Sequence, residues 1–235
     1  MIPWLESTDA FPPLEQALEE PNGLLCAGGE LSPQRLIQAY RQGIFPWYVK
    51  GEPVLWWSPD PRMILVPSEF RISRSLRRTL RAGEYRIRLD SNFQDVIRAC
   101  ARTRRKGQAG TWITAEMQDA YGTLHELGFA HTVETWVDDK LAGGLYGLAI
   151  GKMFYGESMF SHATDASKIA LAHLTRFLDE HGFGLIDCQM NTPHLASLGA
   201  RQIPRSEFIA VLRELTAIPP QHGRWPSDGA IRDWG

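Results

Sequence analysis

The sequence predicts a mixed α+β fold. Three strand-like runs between about residues 131 and 160 are joined by short turns, a long amphipathic helix follows, and one more apolar strand comes after it. Strands joined this way pair as an antiparallel meander, and a strand arriving after a crossover helix returns beside them. A boundary near residue 62 separates a Trp- and Pro-rich opening from the remainder.

Residues 1–30 are rich in Pro, Gly and acids and read as irregular. The run "SPQRLIQAYRQG" predicts a helix, with Ser32 as N-cap, Pro33 at the first helical position, Leu36, Ile37 and Tyr40 on one face, and Gly43 as stop. Around Trp47, Trp56 and Trp57 the repeated prolines favour short strands and rigid turns. Residues 62–66 ("RMILV") form a short strand, 73–83 a basic helix stopped by Gly83, and 85–90 an alternating strand. Apolar positions 93, 96, 97 and 100 mark an amphipathic helix over 92–103. A loop follows, then a helix from about 115 to 127 and strands at 131–137, 141–150 and 152–160. The longest helix covers 164–182 and ends at Gly182; after it come the strand 184–189, a short helical turn and a last helix near 206–217. The tail beyond reads as loose.

Composition narrows the function. With 43% hydrophobic and 22% charged residues in 235, the chain has the make-up of a globular protein, and no apolar run reaches membrane-spanning length. The N-terminus lacks the pattern of a secretory signal, and three scattered cysteines fit a reducing compartment, so a cytoplasmic location is expected. No Cys or His spacing matches a metal site, and no metal is expected. The net charge of −2 hides a segregation: residues 71–106 hold twelve basic side chains against three acids, leaving −11 for the rest. A basic block on an acidic protein is the footprint of a polyanion, RNA foremost, although a solvated helix face would look the same. All but one of the twelve are Arg, the better phosphate fork.

Two stretches suggest a reaction site. In "GLIDCQM" (184–190), strand alternation points Asp187 and Gln189 one way and Cys188 the other. In "FYGESMFS" (154–161), Glu157 lies in an apolar run, where a carboxylate is costly unless it is paired or binds a cation. If these strands are neighbours, Glu157, Asp187 and Gln189 converge on one pocket. The alternative is that Glu157 pairs with a structural Arg or Lys and Asp187 caps the next turn. The Gly-rich "GGLYGLA" (143–149) joins strand to strand and has neither dinucleotide-binding nor P-loop spacing, so it argues against nucleotide or coenzyme A binding. Covalent catalysis has no support: Ser158 and Ser161 lack a nucleophile elbow.

The blocks "EPNGLLCAGGELSPQRLIQAYRQGIFPWY", "PVLWWSPDPR", "GTWIT", "LHELGFAHTVETW", "GGLYG", "GESMFS" and "LIDCQMNTPHLASLGA" resemble the leucyl/phenylalanyl-tRNA–protein transferase family, in order and spacing, from about residue 20 to 208. The resemblance implies a small N-terminal α/β domain over 1–62 and, over 63–235, a GCN5-type acetyltransferase-like domain with a central, mainly antiparallel sheet. It implies an enzyme without a cofactor that moves Leu, Phe or sometimes Met from aminoacyl-tRNA to the α-amine of proteins beginning with Arg or Lys, in the N-end rule pathway. The family's catalytic pair falls on Asp187 and Gln189, its peptide-recognising Glu on Glu157 and its adenosine-stacking Trp on Trp112. Its aminoacyl pocket falls on Leu145, Leu174, Leu178 and Ile186. The basic block is then the tRNA-binding surface, with Arg71, Arg74, Arg77, Arg78, Arg81, Arg104, Arg105 and Lys106. A coenzyme A-dependent N-acetyltransferase and a non-enzymatic RNA-binding module are the rival readings.

Overall fold

A computed structural model describes residues 2–103, 111–219, 223–226 and 234. The opening segment builds a small sheet. Strands β1 (Trp4–Leu5) and β2 (Leu24–Gly28) precede helix α1 (Pro33–Arg41), and β3 (Phe45–Pro46) and β4 (Leu55–Trp57) follow it, in the order β1-β2-β4-β3. Helix α1 starts as predicted, with the Ser32 side chain accepting a bond from the Arg35 N–H and Pro33 in the first turn. The irregular reading of residues 1–30 is corrected, because β1 and β2 both lie there.

The rest of the chain builds a seven-stranded sheet. In chain order come β5 (Arg62–Leu65), α2 (Arg74–Ala82), β6 (Arg86–Leu89), α3 (Phe93–Arg102), α4 (Ala115–Glu126), β7 (Ala130–Val137), β8 (Lys140–Ile150), β9 (Met153–Ser161), α5 (Ala166–Glu180), β10 (Leu185–Gln189), α6 (Pro193–Ser197), β11 (Arg201–Ile203) and α7 (Arg205–Ala217). The strand order is β11-β5-β10-β9-β8-β7-β6. Each pairing is antiparallel except β9 with β10, where α5 carries the chain across so that the returning strand runs alongside the meander. The fold is therefore mixed α+β with two sheets, the larger one mainly antiparallel.

Alternation along the strands sorts side chains to two faces. Tyr146, Tyr155, Leu185 and Ile64 join α1, α3, α4 and α7 residues in one core; Leu145, Phe154, Ile186 and Met63 pack on the other face against Leu171, Leu174 and Leu178 of α5. The glycines of "GGLYGLA" lie inside β8. A Cβ at Gly147 would stand 2.2 Å from the Tyr155 carbonyl oxygen, and one at Gly143 would stand 2.5 Å from Ala166 Cβ. Close packing explains that run.

Helix α2 is capped by Ser73, whose side chain accepts the Leu76 N–H, and stops at the left-handed Gly83. It buries Leu76 and Leu80 against Ile169 and Ala172 of α5. Its four arginines are exposed and have no carboxylate partner among the described residues, whereas Arg86 pairs with Asp139 and Arg98 with Asp95. The tail is not loose where it is described. The Trp225 indole stacks on His131 at 4.1 Å between ring centroids, and the Trp225 backbone N–H donates to Asp90 Oδ2 at 2.7 Å. Among the described residues no helix is long and apolar enough to cross a membrane.

Candidate active site

The site forms where β9 and β10 lie side by side, with Ile186 opposite Phe154 and Asp187 opposite Tyr155. Beyond Asp187 the ladder with β5 slips: Asp187 faces Ile64, and Gln189 faces the next residue, Met63, leaving Cys188 as the extra residue of a bulge. Gln189 also takes a left-handed backbone, φ 62°, which side chains other than Gly seldom adopt. Bulge and twist break the period of two. Cys188 and Gln189 both line a cavity of about 470 Å³ with Ile186, while Asp187 does not reach it. The expectation that Asp187 and Gln189 share a face is thus corrected. Burial raises the Cys188 thiol pKa further, with Asp187 adding to the effect, so the cavity gains no thiolate nucleophile.

Asp187 turns instead to Arg62, the first residue of β5. Arg62 donates from Nε to Oδ1 at 2.8 Å and from a terminal guanidinium nitrogen to Oδ2 at 2.6 Å, and both side chains are 0% exposed. The guanidinium sits between the Phe45 and Phe208 rings, 4.8 and 4.7 Å from their centroids. Oδ1 also accepts the Gln189 N–H at 2.9 Å. The carboxylate of Asp187 therefore holds the strained turn that aims Gln189.

Gln189 Nε2 donates to Glu157 Oε1 at 3.0 Å. Glu157 pairs with no Arg or Lys among the described residues. It accepts from the Tyr40 hydroxyl at 2.7 Å on Oε1 and from the Tyr121 hydroxyl at 3.1 Å on Oε2, and the two hydroxyl oxygens also lie within hydrogen-bonding reach of each other. Burial raises its pKa to about 7; the tyrosine bonds pull it down, Asp187 pushes it up and Arg62 lowers it. Among the described residues Glu157 is the one carboxylate that lines the cavity.

The cavity's apolar wall comes from Leu145, Phe154, Met159, Leu171, Leu174 and Ile186, and two indoles, Trp47 and Trp112, also line it. An apolar hollow of this size with a few convergent polar groups is the usual form of a small-ligand site. A larger hollow of about 620 Å³ beside the small sheet, ringed by Trp4, Glu6, Glu52 and Glu116, brings together no comparable set of hydrogen-bonded groups.

Residues 64–213 match the family model of the leucyl/phenylalanyl-tRNA protein transferases, and residues 29–60 match the model of that family's N-terminal domain. The chain belongs to this family. The leucyl/phenylalanyl-tRNA–protein transferase of Nitrosomonas europaea is 63% identical over 228 residues, which is 97% of this chain and 96% of that one. Its counterpart in Azoarcus sp. is 57% identical over 235 residues, 100% of each chain. Among solved structures, a functionally unknown conserved protein from Staphylococcus epidermidis covers 77% of this chain and 68% of its own at a TM-score of 0.43 and 8% identity, a likeness too remote to bear on the site.

Of the residues that the transferase family resemblance singles out, Glu157, Gln189, Trp112, Leu145, Leu174 and Ile186 line one cavity. Asp187 stands behind it. Leu178 does not line it either: it is fully buried in the core behind Leu174, one helical turn along α5. Arg71, Arg74, Arg77, Arg78 and Arg81 are exposed on and just before α2; Arg104, Arg105 and Lys106 lie outside the described residues. Four site residues went unrecognised in the sequence: Tyr40, Trp47, Arg62 and Tyr121. Tyr40 reads there as a core position of α1, which it also is. The available signal for Arg62 was a cation opening the apolar run "RMILV".

Proposed function

We propose that this transferase moves Leu, Phe or sometimes Met from aminoacyl-tRNA to the α-amine of proteins that begin with Arg or Lys. The product would be an N-end rule substrate, made in the cytoplasm, where aminoacyl-tRNA is at hand. One observation carries the reading: a single cavity joins an apolar wall, two indoles, one carboxylate and a carboxamide held in a strained, fixed orientation. The apolar wall suits the aminoacyl side chain. Each methylene there is worth about 1–3 kcal/mol, which supports relaxed choice among large apolar side chains. Trp112 suits stacking of the terminal adenosine, worth about 1–3 kcal/mol. Glu157 suits the cationic end of the acceptor, and the arginines of α2 suit phosphates, with little regard for base sequence.

The donor is an activated ester, so the reaction needs positioning more than a cofactor; good orientation alone can supply about 7–11 kcal/mol. Gln189 can donate and accept at once, and would orient the attacking amine. Asp187 would act through it, by holding its backbone. Sheet membership supports dividing the chain at residue 62, strands up to Trp57 lying in one sheet and those from Arg62 in the other. The lone parallel pair in an otherwise antiparallel sheet supports reading the second part as GCN5-like. The coenzyme A rival is disfavoured, because the Gly-rich run that would have to cradle a pyrophosphate is mid-strand. Transfer from Leu-tRNA to peptides that differ only in a first residue of Arg, Lys or Ala tests acceptor choice. We expect kcat/KM at least about tenfold lower for Ala, the loss of one charge-assisted contact; equal values for the three would remove the cation-binding role of the cavity.

A further inference from the structure

The acceptor's α-ammonium must lose a proton before its nitrogen can attack, and the structure separates the two carboxylates that could take it. Asp187 is 0% exposed, is held by Arg62 and the Gln189 N–H, and does not line the cavity. Glu157 does line it. We propose that Glu157 is the proton acceptor for the α-ammonium, with Tyr40 and Tyr121 as the positioning residues that let it change charge in place. This rests on the transferase reading above and names the base within it.

The hydrogen-bond triangle carries the proposal. Three oxygen sites, those of Tyr40, Tyr121 and the Glu157 carboxylate, make three mutual contacts. With Glu157 ionised, both hydroxyls donate to it, one to each oxygen, Gln189 Nε2 adds a third donor, and the Tyr40–Tyr121 contact holds no proton. With Glu157 protonated, its Oε2–H can donate to the Tyr121 oxygen, the Tyr121 proton turns to the Tyr40 oxygen, and Tyr40 still donates to Oε1. The ring closes with one donor per contact. A proton is thus taken in by rotating hydroxyls alone, with no side chain leaving its place and no buried polar atom left unpaired. Tyr40 is held for this by the Tyr155 hydroxyl, which donates to the Tyr40 carbonyl at 3.0 Å.

The surroundings are balanced for the task. Facing Glu157 are Tyr40 from α1, Tyr121 from α4, Gln189 on β10 with the Asp187–Arg62 pair behind it, and, elsewhere on the cavity wall, His194 with Lys168 near it. Burial dominates and raises the Glu157 pKa to about 7. An α-amine titrates at about 7.7–8.0, so proton transfer between the two is nearly thermoneutral, whereas an ordinary carboxylate would face an uphill step. In the step itself, R–NH₃⁺ gives one proton to the Glu157 carboxylate, and the freed lone pair attacks the ester carbonyl carbon. The C–O bond to the ribose then breaks, the extra proton on the new nitrogen passes to the departing ribose oxygen, and Glu157 later releases its proton to water.

The test compares two acceptors with saturating Leu-tRNA: an Arg-starting peptide, and the same peptide with an α-aminooxy group, whose nitrogen is unprotonated at neutral pH. For Glu157→Gln we expect kcat on the amine peptide to fall by about 10²–10⁴-fold and kcat on the aminooxy peptide to fall by no more than about tenfold, the loss of one charge-assisted contact. The wild-type amine rate should rise with pH through a limb near 7, and that limb should vanish in the variant. Tyr121→Phe keeps the carboxylate but removes a donor to its ionised form, so the limb should move to higher pH. Equal losses on both acceptors, or a limb unmoved by Tyr121→Phe, would overturn the proposal and leave Glu157 as a cation-binding group only. If wild type transfers Leu to neither acceptor, the transferase reading itself fails.

Discussion

Replacing Asp187 by Ala is expected to abolish detectable transfer from Leu-tRNA and to destabilise the protein by about 3–5 kcal/mol. The loss of stability follows from what the substitution leaves behind. Arg62 is 0% exposed and sandwiched between two Phe rings, so without Asp187 a guanidinium charge is stranded in the core. The loss of transfer has a separate cause, because Asp187 Oδ1 accepts the N–H of the left-handed Gln189 and so keeps its carboxamide on Glu157. The two effects can be separated. In the double variant Arg62→Met, Asp187→Leu the stranded charge is gone, and replacing a buried ion pair by apolar groups is often neutral or stabilising. Denaturant melts should therefore recover while transfer stays lost. In both variants tRNA affinity should be near normal, because the exposed arginines of α2 are untouched. Near-normal turnover in Asp187→Ala would sink the positioning role.

Reversing Arg77, Arg78 and Arg81 to Glu is expected to cut tRNA affinity by about two to three orders of magnitude at roughly 0.1 M salt. Each phosphate contact releases counterions and contributes about 0.9 to the slope of log K against log salt, so three lost contacts should flatten it by about 2.7. These side chains are exposed and unpaired by any carboxylate among the described residues, so melts should change little. An unchanged salt slope would mean that α2 is a solvated face and that the phosphates are held elsewhere.

The sequence was most legible where local chemistry decides structure. Helices α1 and α2 begin at Ser caps whose side chains accept the expected backbone N–H groups, and the meander follows from short turns between alternating runs. Strands β1, β3 and β11 are two or three residues long. So short a strand exists by virtue of the neighbour it pairs with, and no period can announce it. The tail carries a similar lesson: Trp225 is fixed by His131 and Asp90, residues far back in the chain.

In the site, alternation alone misassigned Cys188 and Asp187, because the bulge that reverses them is set across the sheet by Arg62, 125 residues away from Asp187. The family resemblance singled out Glu157 and Gln189, which line the cavity, but not the partners that hold them. Tyr40 and Tyr121 fill apolar positions of amphipathic helices, and a pattern of burial does not distinguish a Tyr that merely packs from one whose hydroxyl reaches a carboxylate. Leu178 shares the apolar face of α5 with Leu174, and only the end of the cavity, a turn short of it, separates the two.

The most direct test of the account is to incubate the protein with tRNA charged with Leu and a peptide beginning with Arg, and to weigh the peptide by mass spectrometry. The account predicts a gain of one leucyl residue on the α-amine, dependent on the charged tRNA and absent when the α-amine is blocked. No gain with charged tRNA, or acetylation of the same peptide when acetyl-coenzyme A is supplied instead, would contradict it.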